Sequence, residues 1–282
     1  MSPTVNSRCI TNFYPEEILM YIFTLRIVVL LTVLMTTAFP LHAQAAENMS
    51  ELINKSGMQR MLSQRIAKAY FYLGNDVSGK ETRLQLNMAL ERFKKNHALL
   101  KAKVQDSKTG ALLAAVEQIF AEYQELVNKP YTQENAARVL ELSDSLLDAC
   151  HAVVLHIEDL SGAHTDQIIN ISGKQRMLSQ RVSKFYIAYQ AGFRDDAAVQ
   201  NLNNAVEEFE SGLKQLMNEG RNTGEIDSML AKIKKEWERI SPYFLEVRKG
   251  GLPLMVLTAT DEVTKLSDRV TDLYVEKIAA QK

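Results

Sequence analysis

A 13-residue segment occurs twice in this chain. It reads INKSGMQRMLSQR from Ile53 and INISGKQRMLSQR from Ile169, with 11 positions identical and a spacing of 116 residues. The same spacing links LNMALERF (Leu86 to Phe93) with LNNAVEEF (Leu202 to Phe209). Further on, EYQEL from Glu122 answers EWERI from Glu236, and LSD from Leu142 answers LSD from Leu266, at spacings of 114 and 124. Similar segments in the same order with altered loop lengths mark a tandem duplication. Whatever the first half folds into, the second must fold into as well.

The repeated unit reads as helical. Breakers are scarce, with 12 Gly and 6 Pro in 282 residues, and Leu, Ala, Glu, Lys and Gln abound. Helices are expected from about Glu47 to Leu73, Lys80 to Val104, Ala111 to Val127, and from an N-cap at Thr132 toward Leu160. GND (Gly74 to Asp76), DSKTG and NKP separate them, and SGA (Ser161 to Ala163) closes the cycle before it restarts. PYFLEVRKGGLPLM (Pro242 to Met255) reads as the longest irregular connection. Four such helices with short loops make an up-down-up-down bundle. The expected fold is all-α, two tandem antiparallel four-helix bundles at residues 46–161 and 162–282.

Residues 1–45 read as a signal peptide rather than as part of the fold. Arg26 precedes the apolar run Ile27 to Phe39, and Ala43-Gln44-Ala45 supplies a cleavage site. A run of 13 residues is short for a membrane span, which takes roughly 20. Met20 is a candidate true start, and a periplasmic location is expected; the alternative is an uncleaved anchor in the inner membrane. A formal net charge of -1 excludes the global basic field that nucleic-acid binding requires. Cys9 departs with the leader, so Cys150 has no internal disulfide partner and reads as a small core residue. His97, His151, His156 and His164 show no metal-ligand spacing, and no nucleophile–base arrangement is present. No cofactor and no enzyme chemistry are expected.

On a helical projection the duplicated segment has two apolar sides. Leu62, Ile66, Ala69 and Leu73 form one stripe, matched by Leu178, Val182, Phe185 and Tyr189. Opposite runs a heptad-spaced seam of Ile53, Gly57, Arg60, Gln64, Ala67 and Phe71, matched by Ile169, Gly173, Arg176, Gln180, Ser183 and Ile187. A helix with a solvated face has no use for the second stripe, so the seam is expected to meet another bundle. Gly57 and Gly173 each cost a helix about 1 kcal/mol against Ala, which points to close backbone approach at that level. If the seams pair in parallel register, Arg60 meets Arg176, and like charges in a desolvated seam call for an anion between them. Guanidinium groups bind flat oxyanions through paired hydrogen bonds. Gln64 and Gln180, one turn on, are candidate supporting donors. The competing reading of each arginine is a structural salt bridge. Arg65 and Arg181 read as ordinary ion-pair or capping residues, and Lys68 and Lys184 as solvated.

INKSGMQRMLSQRIAK and INISGKQRMLSQRVSK resemble the signature of PilJ-type sensory domains, related to the periplasmic input domains of bacterial nitrate/nitrite sensor kinases. In those kinases the corresponding segment, with a G-x-x-R-M core, opens a four-helix bundle and binds nitrate at a dimer interface through one arginine from each subunit. The resemblance carries over to Gly57, Arg60 and Met61 and to Gly173, Arg176 and Met177, and is strong over about 20 residues per copy. It implies a sensory protein recognising a small anion such as nitrate or nitrite. Family members usually continue into a membrane helix and a kinase or methyl-accepting module; this chain ends at VEKIAAQK, so a membrane-bound receptor or kinase acting in trans is the expected partner. The alternative is a ligand-free helical scaffold docking a pilus or chemoreceptor-type protein. Geometry turns on Gly162. A hairpin there sets the first and fifth helices parallel and lets one chain imitate a dimer; a continuous helix stacks the bundles and requires a homodimer.

Overall fold

Polar side chains cap the starts of four helices among the described residues, and those caps set their boundaries. The computed structural model describes residues 49–280 apart from Ala163; the expected signal peptide lies outside the described residues. Among the described residues there are eight α-helices and no strand. They are α1 (49–74), α2 (Gly79–Lys103), α3 (Ser107–Val127), α4 (Gln133–Ser161), α5 (His164–Gln190), α6 (Asp196–Met217), α7 (Gly224–Leu245) and α8 (Pro253–Ala280). Thr132 caps α4 by accepting from the Asn135 amide at 3.1 Å, as its sequence position suggests.

Two expected connections are trimmed by helix. Asp106 accepts from the Thr109 amide at 2.9 Å, so SKTG forms the first turn of α3 instead of a loop. A capping aspartate and a turn aspartate look alike in sequence, because both bond a backbone amide nearby. At the other site α7 runs on through Pro242 to Leu245, and α8 begins at Pro253, which sits where a helix tolerates a missing amide. Residues 246–252, around the 3-10 turn Val247–Lys249, remain as the longest connection between helices among the described residues.

Helices α1 to α4 form the first bundle. The Tyr123 hydroxyl of α3 donates to the Ser63 carbonyl at 2.9 Å, the Gln64 amide donates to the Ser143 carbonyl of α4 at 2.9 Å, and Phe93 stacks on Phe120 with ring centroids 4.1 Å apart. Helices α5 to α8 repeat the arrangement, with Phe209 stacked on Trp237 at 3.8 Å and Ser179 bonded to Thr264 of α8 at 2.6 Å.

The bundles lie side by side. Gly162 ends α4 in the left-handed conformation at φ 62°, which glycine adopts without penalty. Past it the chain reverses: Asn170 returns to Glu158 at 2.6 Å and Lys184 to Asp144 at 2.8 Å. Helices α1 and α5 therefore run parallel against each other, with the Tyr72 hydroxyl 3.2 Å from Ser183 Oγ. Both are enclosed nearly all round. Between Leu52 and Tyr72 only Lys55 and Arg65 keep partial exposure, and between Ile168 and Tyr189 only Asn170, Ile171, Lys174 and Arg181 do. The double stripe in the duplicated segment is what that enclosure requires. From residue 46 onward the chain is one compact unit.

Candidate functional site

Small residues line the approach of α1 and α5, and two of their serines bond back to the preceding turn. Ser63 Oγ donates to the Arg60 carbonyl at 2.8 Å and Ser179 Oγ to the Arg176 carbonyl at 2.9 Å, one bond per repeat. Gly57 and Gly173 sit one turn before the arginines. A Cβ on Gly57 would lie 3.4 Å from Arg60 Nη2 and 3.5 Å from Arg176 Nη2; on Gly173 it would lie 3.1 Å from Arg176 Nη2 and 3.8 Å from Arg60 Nη2. The two guanidinium groups thus converge over the paired glycines. What the glycines make room for is these guanidinium ends, and not the backbone of the facing helix.

The two arginines are almost fully enclosed, at 1% and 0% exposure. Each reaches across the seam to the equivalent asparagine of the other repeat. Arg60 Nη2 donates to Asn170 Oδ1 at 2.7 Å and approaches its carbonyl at 3.5 Å, while Arg176 Nη2 donates to the Asn54 carbonyl at 3.3 Å. Those asparagines lead on to carboxylates, Asn170 to Glu158 at 2.6 Å and Asn54 to Asp272 at 3.1 Å. The remaining contacts differ. Arg176 Nη1 donates to Asp268 Oδ1 at 2.6 Å, whereas Arg60 Nη1 lies 3.2 Å from His151 Nδ1. The Nε of each arginine is buried without a hydrogen-bond partner.

Burial, together with Arg176, pulls the Arg60 guanidinium down to about 10, so it remains charged at neutral pH. Holding it charged there costs roughly 3 kcal/mol. Burial and Arg60 likewise hold His151 below its ordinary value. Cys150, next to His151 in α4, is buried and free, and burial pushes its thiol well up. An inert, protonated cysteine is a core residue in chemical terms.

Gln64 and Gln180 are fully buried one turn beyond the arginines. The Gln64 amide nitrogen is committed to Ser63 and Ser143, and that of Gln180 to Asp261 at 3.2 Å and Thr264 at 2.5 Å. They form the layer adjoining the arginines.

Lys68 and Lys184, expected in solvent, are at 0% exposure. Each crosses to a carboxylate of the other repeat: Lys68 to Asp261 of α8 at 2.6 Å, Lys184 to Asp144 of α4 at 2.8 Å. Arg65 joins Asp261 at 3.1 Å. These pairs correct the sequence alignment of the two LSD segments. Asp144 corresponds to Asp261, 117 residues on, so the visible LSD match at Asp268 is one heptad out of register. In the corrected register His151 and Asp268 occupy equivalent positions. The repetition of Asn54 and Asn170 inside the duplicated segment was a signal for the crossing contacts; nothing local marked His151.

The sequence profile of the PilJ family, the N-terminal domain of type IV pili methyl-accepting chemotaxis transducers, matches this chain twice, at residues 42–152 and 161–263. No curated protein and no solved structure matches it.

Proposed function

The chain belongs to the PilJ family of transducer input domains, and on that footing we propose that it is a periplasmic sensory protein recognising a small oxyanion, nitrate or nitrite first, between Arg60 and Arg176. One observation carries this reading. Two buried guanidinium groups, one from each repeat, converge over Gly57 and Gly173 while, among the described residues, only one carboxylate, Asp268, bonds either of them directly. A flat monoanion accepting from both arginines relieves their repulsion and gives the unpartnered Nε–H groups an acceptor. Gln64 and Gln180 brace the helices one turn away. The pairing that a sensor dimer makes between subunits is here made within one chain. The signal passes to a membrane-bound receptor or kinase in trans; among the described residues no helix is long and apolar enough to cross a membrane.

Isothermal titration of the purified chain with nitrate and nitrite tests the reading. One anion per chain is expected, with binding abolished by Arg60→Ala and by Arg176→Ala. No heat from the unaltered chain, or binding that survives both substitutions, rejects it.

A second reading is a ligand-free module that docks another helical protein. It is favoured by the exposed Leu245, Leu252 and Leu254 around the α7–α8 connection, at 67%, 53% and 55% exposure. Association with a pilus or chemoreceptor-type protein that persists in anion-free buffer would support it.

A further inference from the structure

The two repeats build the arginine pair with one difference that bears on charge. In the register set by Lys68–Asp261 and Lys184–Asp144, Asp268 and His151 are counterparts, and each is the direct partner of its own repeat's arginine. The contacts across the seam do not distinguish the two sides, since Asn170 and Asn54 each link an arginine toward a carboxylate. What differs is the remaining partner.

Chemistry fixes the state of the histidine. Arginine has five N–H donors and no acceptor, so a contact of 3.2 Å between Arg60 Nη1 and His151 Nδ1 requires a lone pair on Nδ1. An imidazolium has none; the ring in this arrangement is neutral with its proton on Nε2. Direct contacts therefore comprise two guanidinium cations, one carboxylate and one neutral ring. Arg176 bonds Asp268 at 2.6 Å, and among the described residues no carboxylate contacts Arg60 directly. Two buried Nε–H donors remain without acceptors.

We propose that His151 is the specificity-determining residue of this site: by placing a neutral acceptor where repeat symmetry puts a carboxylate, it leaves Arg60 without a directly bonded carboxylate and makes the seam selective for a monovalent over a divalent anion. This rests on the anion-binding reading given above and adds to it the residue that sets the charge class of the ligand. Were both arginines held by carboxylates, no charge would be left for an anion. Were neither, the site would favour a dianion.

The test is titration of the full chain with nitrate and with sulfate, comparing His151→Asp, His151→Gln and Asp268→Asn. The unaltered chain is expected to take nitrate in preference to sulfate. His151→Asp, which supplies Arg60 with a carboxylate, is expected to weaken nitrate by about 30-fold, the scale of one charge-assisted hydrogen bond. His151→Gln keeps a neutral acceptor and is expected to stay within about 3-fold. Asp268→Asn frees a second charge and is expected to shift preference toward sulfate. A thermal melt without anion gives an independent readout, because His151→Asp should raise the melting temperature by neutralising Arg60. Nitrate affinity unchanged in His151→Asp, while Arg60→Ala abolishes it, overturns the role of His151 and leaves the arginine site standing. Binding of neither anion by the unaltered chain overturns both.

Discussion

Lys68 of the first repeat and Asp261 of the second meet at 2.6 Å, and the lysine is wholly enclosed. The reverse exchange, Lys184 to Asp144 at 2.8 Å, completes a two-fold pattern that ties the bundles together. Removing one member of a buried pair leaves an uncompensated charge, which costs about 3–5 kcal/mol. Asp261→Ala should lose stability on that scale in urea unfolding. Adding Lys68→Met to it should recover most of the loss. Asp144→Ala should cost less, because Asp144 is 37% exposed and Lys184 keeps its bond to Ser143 Oγ at 2.9 Å.

Acid should loosen the interface between bundles. Burial alone would raise the Asp261 carboxyl, but Lys68 and Arg65 hold it below the usual carboxylate range. A depressed folded value means the stabilisation is present above that range and is lost as pH falls toward the folded value. Urea midpoints should therefore drop below about pH 4, and Asp261→Asn should flatten the drop.

At alkaline pH the buried lysines give a slope of the same sign. Burial holds Lys68 and Lys184 to about 8, with their aspartate partners pulling partly back up. Above that value the unfolded chain binds more protons than the folded one, so stability from these groups rises with pH. Urea midpoints should climb between about pH 8 and 9.5, below the tyrosine range. Lys68→Met with Lys184→Met should remove the climb.

The end of α1 offers a purely steric test. A Cβ on Gly74 would fall 2.0 Å from the Tyr131 ring, which also packs against Tyr70 and Phe71 with centroids at 5.4 and 5.9 Å. Gly74→Ala should cost about 1–3 kcal/mol by overpacking. Combining it with Tyr131→Ala should cost less than the sum of the two single changes.

Much of this was legible in the duplicated segment. Its two apolar stripes, opposed on one helix, already required α1 and α5 to be buried on both sides, whereas Gly57 and Gly173 make room for guanidinium groups and not for the close backbone approach their spacing suggested. Lys68 and Lys184 were not legible. A lysine followed by further helix reads as surface by default, and only the carboxylate arriving from the other repeat makes its burial tolerable. The LSD match misled for a related reason. One heptad of slip preserves the helical face, so similarity alone cannot tell Asp261 from Asp268 as the counterpart of Asp144. His151 was hidden by the same slip, since its equivalence to Asp268 exists only in the corrected register.

Central to the account is a single anion held jointly by Arg60 and Arg176. Diffraction from crystals of the full chain grown in bromide tests this most directly, because the anomalous signal places the ion without reference to the protein. The expected result is one strong peak over Gly57 and Gly173, in contact with guanidinium nitrogens of both arginines. Guanidinium groups found in the described positions with no peak between them would contradict it.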